Sequence, residues 1–374
     1  MSTINDLKLA KELIKFPTIT PIDAGIMKFL EKKLKSIGFK TKILEFKDKN
    51  SRPVKNIYAR LGKKYPNFCY AGHVDVVPTG NIKKWSSHPF KPKIKNGKLI
   101  GRGASDMKSS VASFIAATND FVNKNKKFNG SISLLITGDE EGLATNGTKK
   151  VVEYLNKKKE KIDFCLVGEP TNPQKMGEMI KIGRRGSLTG YLRVFGKMGH
   201  VAYNHRAINP SNCIVDILNS LKLLKLDSGS KNFQPSNLEI TKINIENDAD
   251  NVIPGEANAT FNIRFNDKHS SSSLKKRLNM FIKKKIRKHK CSFKIKYIVS
   301  GESFITKPNK ITYMIKNVIK KYTGLNTKLS TSGGTSDARF IKKISPCLEF
   351  GLVGASMHQV NENVSLKDLK LLTK

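Results

Sequence analysis

Gly72-His73-Val74-Asp75-Val76-Val77-Pro78 follows directly on the apolar run 68–71, and this junction decides the fold. The run reads as a strand, and α/β sheets place their active sites beyond the carboxyl ends of strands. In extended backbone, residues two apart point the same way, so His73 and Asp75 can touch. Taken alone, the pair is equally an ordinary structural contact or part of a metal site, where a ligand histidine gives its second ring N–H to a carboxylate.

On either side of the junction, 131–137 and 164–167 are further apolar strands, with a helix over 109–121 between them. Upstream, apolar residues at helical spacing predict helices over 5–16, ended by Pro17, and over 22–37, ended by Gly38. Strand–helix alternation indicates an α/β fold, a sheet covered by helices. Beyond about Ile180 the texture changes. An alternating strand at 187–195 is followed by a helix at 210–224 and strands at 238–245 and 257–265. A lysine-rich helix at 271–289 and a strand at 292–299 complete the set. Strand, helix, strand, strand, helix, strand is the split β-α-β order of a ferredoxin-like α+β module. Helix and strand patterns resume after it, so it reads as an insertion. A discontinuous catalytic domain, 1–180 and 299–374, is interrupted by a second domain, 181–298. A chain of 374 residues is also long for one core.

With 69 Lys and Arg against 30 Asp and Glu, the chain carries +39, which raises the question of nucleic acid. The lysines are spread over the whole length alongside Asn and Ile, in runs such as Lys157–Lys159 and Lys283–Lys285, and there is one Trp. This is a compositional bias on solvated faces rather than a binding stripe or a stacking platform for single strands. A basic field would still draw in a small polyanion. The five cysteines form no CxxC pair and read as buried free thiols of a reducing compartment. No signal peptide is visible, and no apolar run approaches the ~18–20 residues of a membrane span. A cytoplasmic protein without membrane or nucleic-acid partners is expected.

The acids are the informative residues. Asp106, in Gly101-Arg102-Gly103-Ala104-Ser105-Asp106-Met107-Lys108, precedes a helix and could simply cap it. Thr137-Gly138-Asp139-Glu140-Glu141-Gly142 closes the 131–137 strand with adjacent glutamates, either a solvated turn or a cation site with one acid left over to move protons. Gly168-Glu169-Pro170 closes a third strand with another acid. Met357-His358-Gln359-Val360-Asn361-Glu362 places a late histidine in a loop before the last helix. Together they supply two imidazoles, three ligand carboxylates and a spare glutamate, a set suited to two divalent ions sharing a carboxylate.

In this order, H-x-D, D, E-E, E, H, the sequence resembles the zinc-dependent M20 peptidase and deacylase family over essentially its whole length. The likeness is also carried by Gly183-Arg184-Arg185-Gly186-Ser187, Gly199-His200-Val201-Ala202-Tyr203, Asn251-Val252-Ile253-Pro254, Asn262-Ile263-Arg264-Phe265 and Ser332-Gly333-Gly334-Thr335-Ser336-Asp337. Within the family, the combination points to members that release succinate from N-succinyl-LL-2,6-diaminopimelate. An acetylornithine deacetylase is the alternative.

The resemblance implies a zinc-peptidase-like mixed sheet with an inserted dimerisation or lid domain, a homodimer, and two Zn2+ per subunit, for which Co2+ may substitute. Asp106 would bridge the ions, His73 and Glu169 would complete one shell, and Glu141 and His358 the other. Asp75 would orient His73, and Glu140 would be the general acid and base. His200, from the partner subunit, would donate to the oxyanion. Arg184 and Arg264 would pair with substrate carboxylates, with Tyr203, Asn251, Gly334 and Thr335 as further contacts. The family also implies a cis peptide at Asp106–Met107. One departure is Gly354, where some members carry an asparagine that contacts substrate.

Overall fold

A computed structural model of the chain describes residues 3–49 and 51–374. These form two compact units. The first comprises Met1–Ile182, Thr306–Ser330 and Ser336–Lys374, and the second comprises Gly183–Ile305 with Thr331–Thr335.

The first unit is built on an eight-stranded mixed sheet. Its strand order is Lys40–Phe46, Val54–Leu61, Ser131–Thr137, Asn67–His73, Phe164–Val167, Cys347–Glu349, Met179–Lys181 and Lys328–Ser330. The central strands Ser131–Thr137, Asn67–His73, Phe164–Val167 and Cys347–Glu349 run parallel, so their carboxyl ends share one edge of the sheet. The strand Asn67–His73 is two residues longer at its carboxyl end than the apolar run suggested, and His73 pairs opposite Thr137. Successive side chains take opposite faces. Tyr70 stacks on Phe114 of the Lys108–Lys124 helix at 4.2 Å between ring centres. Cys69, Cys165 and Cys347 lie side by side in register on three neighbouring strands, all buried. The helices Asp6–Ile14, Ile26–Ile37 and Lys108–Lys124 bury Leu9, Leu13, Leu30, Leu34, Val111 and Ile115 in one core with Leu134 and Ile136.

The second predicted helix begins at Ile26 rather than at 22. Gly25 sits in the left-handed region, and Asp23 accepts from the Gly25 and Met27 N–H groups, so the chain turns there before the helix can start.

The second unit has a four-stranded antiparallel sheet in the order Asn237–Asn244, Glu256–Phe265, Gly186–Phe195 and Ser292–Gly301. The helices Pro210–Lys222 and Ser271–Ile286 bury Ile214, Ile217, Leu274 and Leu278 against Leu188, Leu192, Phe261 and Ile263. The opposite face carries the alternating polar set Thr260, Asn262 and Arg264. Among the described residues, no helix is long and apolar enough to cross a membrane.

Candidate active site and metal centre

His73 and Glu169 leave the sheet at the carboxyl ends of adjacent parallel strands, and Glu140 and Glu141 follow the third. Asp106 and His358 come from loops. The fully buried imidazole of His73 donates its Nδ1–H to the carbonyl oxygen of Asp75 at 3.0 Å, whereas the Asp75 carboxylate is 3.6 Å away. The orienting contact is therefore chiefly the Asp75 carbonyl rather than its carboxylate. In the neutral ring it fixes the proton on Nδ1 and leaves the Nε2 lone pair for a cation among the acids. The Asp75 carboxylate instead accepts from the N–H groups of Glu140 and Glu141 at 3.0–3.2 Å, bracing the peptide between those two acids.

Asp106 does not cap its helix. Met107 occupies the cap position, and the Asp106–Met107 peptide is cis. The Asp106 carboxylate instead divides between the two imidazoles, with Oδ1 3.1 Å from His73 Nε2 and Oδ2 3.3 Å from His358 Nε2. His358 Nε2 also lies 2.9 Å from Glu141 Oε1, and His73 Nε2 lies 3.9 Å from Glu169 Oε1. Donor atoms of His73, Glu140 and Glu169, and of His73, Asp106 and Glu141, cluster within 4.8 Å.

Burial opposes the charge on Asp106, but hydrogen bonds from His358 and His73 hold it well below the usual carboxylate range. Burial, then the Glu169 and Asp337 carboxylates, pushes Glu140 well above that range. Burial also raises Asp75, to about 6. Facing this many acids at the site is Arg339, whose Nη1 is 4.0 Å from Glu140 Oε1. Several convergent carboxylates, two imidazole nitrogens and one carboxylate shared between them fit a pair of divalent cations.

Several supporting residues stand in the sequence motifs with no role that the motifs reveal. Asp139 accepts from the N–H groups of Ala144, Thr145 and Asn146 and folds the loop after the glutamates. Lys108, fully buried, donates to the Phe16 carbonyl at 2.7 Å, and burial lowers it to about 7. Buried Glu362 and Arg102 pair at 2.8 Å. The partners of all of these are distant or backbone groups, which no spacing rule reveals. At Gly354, a β-carbon would lie 2.7 Å from Met357 Cε and 3.2 Å from the Pro170 carbonyl oxygen, so the missing side chain makes room for Met357.

A second set of candidate residues lies in the other unit. His200 pairs in a short ladder with Val252, next to Asn251, and its ring lies 5.7 Å from that of Tyr203. Ala202 N–H donates to His200 Nδ1 at 3.1 Å, so the neutral ring carries its proton on Nε2, available as a donor. Arg184 Nη1 donates to the Ser332 carbonyl beside Gly333, Gly334 and Thr335. A β-carbon on Gly333 would fall 2.6 Å from that nitrogen. Arg264 is held in the sheet opposite Ser187 and Asn237.

A match to Peptidase family M20/M25/M40 spans residues 69–374. The chain belongs to this family. This M20 chain is 69% identical over 374 residues to the succinyl-diaminopimelate desuccinylase of Pelagibacter ubique (strain HTCC1062), covering 100% of this chain and 97% of that one. In structure it is similar to a Staphylococcus aureus tripeptidase, with TM-score 0.80 and 18% identity over 100% of this chain and 96% of that one. It is also similar to a dinuclear metal-binding peptidase of the M20 family from Bacillus subtilis, with TM-score 0.72 and 14% identity over 98% and 94% of the two chains. At such identities the two solved structures support the fold alone.

Proposed function

We propose that this M20 hydrolase removes the succinyl group from N-succinyl-LL-2,6-diaminopimelate, giving LL-diaminopimelate and succinate in lysine and diaminopimelate biosynthesis. The supporting observation is the full-length identity of 69% to a desuccinylase, joined to a metal-donor set drawn from three strand ends and two loops.

Asp106 would bridge two cations, with His73 and Glu169 on one and Glu141 and His358 on the other. We assign them as zinc, replaceable by cobalt, since such ligands accept both. When bound, they supply Lewis acidity at neutral pH. Glu140, held high by desolvation and neighbouring acids, takes a proton from the attacking water and returns it to the leaving amine. Asp75 holds the Glu140–Glu141 peptide in place for this transfer. The Nε2–H of the partner subunit's His200 donates to the developing oxyanion in a homodimer. Arg184 and Arg264 pair with the substrate carboxylates, with Tyr203, Asn251, Gly334 and Thr335 completing the contacts. The unit Gly183–Ile305 would then serve dimerisation and substrate enclosure.

Assay of the zinc-loaded protein on N-succinyl-diaminopimelate and N-acetylornithine tests the substrate. A higher kcat/KM on N-acetylornithine would overturn the assignment. Mixing inactive His200→Ala with inactive Glu140→Gln protein should regenerate a functional site after subunit exchange, and no recovery would remove the shared-site reading.

A further inference from the structure

The two strand-end donors, His73 and Glu169, are placed by the sheet. Asp106 and His358 stand in loops next to a short antiparallel ladder, Lys98–Ile100 with Asn363–Ser365, and the backbone at His358 is left-handed at φ 62°, as it is at Asn361 at φ 59°. Non-glycine residues hold that conformation only where their surroundings over-determine it. A buried ion pair supplies the constraint. Glu362 Oε1 accepts from the N–H groups of Ser105 at 2.8 Å and Asp106 at 3.0 Å. Its Oε2 accepts from Gly103 N–H at 3.1 Å and Arg102 Nη1 at 2.8 Å. Arg102 Nη1 also donates to the carbonyl of Gln359, the residue after His358, and Nη2 donates to the carbonyl of Pro78 in the loop after His73. The guanidinium lies over the Trp85 ring at 5.2 Å, and the Trp85 indole N–H donates to the Thr79 carbonyl. Asn361 Oδ1 accepts from the N–H and hydroxyl of Ser86 at 2.7 and 2.9 Å. Beyond that ladder, which Gly101 N–H extends by donating to the Glu362 carbonyl at 2.9 Å, these two loops and the loop after His73 are tied to one carboxylate and one guanidinium.

We propose that Arg102 and Glu362 are positioning residues, a clamp that sets the distance between Asp106 and His358 and so controls the affinity of the cation position these two share with Glu141. Neither side chain reaches the donor cluster; each acts through the backbone of a ligand loop. Asp106 serves both positions, but only the Asp106–Glu141–His358 position takes two donors from clamped loops. Loss of the clamp therefore affects the two positions unequally. This inference rests on the dinuclear reading above.

The test measures the two stepwise cobalt affinities of the metal-stripped protein by chelator competition, for the wild type and for Glu362→Gln, Glu362→Asp and Arg102→Lys. Loss of a partner beyond the ligands typically weakens metal binding about 10–100-fold. That drop is expected in one of the two steps for Glu362→Gln and Arg102→Lys, with the other step changed far less and Glu362→Asp partly restored. Arg102→Lys keeps the charge and one donor, so it carries the test if Glu362→Gln does not fold. Unchanged affinities, or equal losses in both steps, in folded variants overturn the clamp. A wild-type protein that binds no second ion would instead overturn the dinuclear reading itself.

Discussion

Glu140 and Glu141 are chain neighbours given different tasks by what surrounds them. Glu141 reaches His358 at 2.9 Å, whereas Glu140 is half-buried among other acids with Arg339 at 4.0 Å. Glu140→Gln keeps the shape and removes the basic oxygen. The expected outcome is retained binding of both cations with kcat reduced by about 10²–10⁴; a metal-loaded variant that keeps its turnover would exclude the assignment. The histidines make a second prediction. Hydrogen bonds to Asp106 and Glu141 push His358 up to about 10, and against the effect of burial the Asp106 partner raises His73 too. His358 at about 10 holds its extra proton at pH 7 in the metal-free protein, and His73 is shifted in the same direction, while a ligand imidazole must be neutral. Metal uptake at pH 7 should therefore release protons, and affinity should fall as pH is lowered. Calorimetry in buffers of differing ionisation enthalpy reads this directly, and an enthalpy independent of buffer would contradict it. The ligand residues were legible because each ends a strand or stands in a distinctive motif. Glu362 and Arg102 stood in two of those same motifs with no visible role, because Glu362's partners are peptide N–H groups more than 250 positions away.

Strands ending together explain why so much of the site could be read. The strands 131–137 and 164–167 stand where their apolar runs placed them. The strands Lys40–Phe46 and Val54–Leu61 were not legible: lysines and half-buried positions interrupt their alternation, as suits a sheet margin facing water on one side. Close packing at the strand ends carries its own prediction. A β-carbon at Gly168 would run into the Tyr70 hydroxyl and lie 2.7 Å from Ser110 Oγ, and those two hydroxyls are hydrogen-bonded in the core. Gly168→Ala should lower stability by about 1–3 kcal/mol through overpacking and displace the adjacent Glu169, weakening metal binding. Urea unfolding with unaltered stability would refute it.

The whole chain carries +39, dispersed rather than gathered into a stripe. A multiply carboxylated substrate approaching such a surface is attracted over roughly a Debye length, about 10 Å at 0.1 M salt. Its kcat/KM should fall with added salt, by up to about ten-fold, while kcat stays nearly level; an uncharged N-acyl amide should show no such slope, and equal slopes for both would remove the steering reading. Charge and length were plain in the sequence, but the grouping of Thr331–Thr335 with the inserted segment was not, since five residues carry no periodicity.

The cysteines give the two units separate voices. Cys69, Cys165 and Cys347 sit shoulder to shoulder at the middle of the first sheet, and Cys213 and Cys291 belong to the second unit, with Cys291 alone partly open to solvent. The unmodified protein therefore carries its own clocks. In excess alkylating reagent Cys291 keeps the fast time and Cys213 follows the breathing of the second core. The sheet trio answers only when neighbouring parallel strands part, so the order of labelling ranks how easily each half of the molecule comes undone.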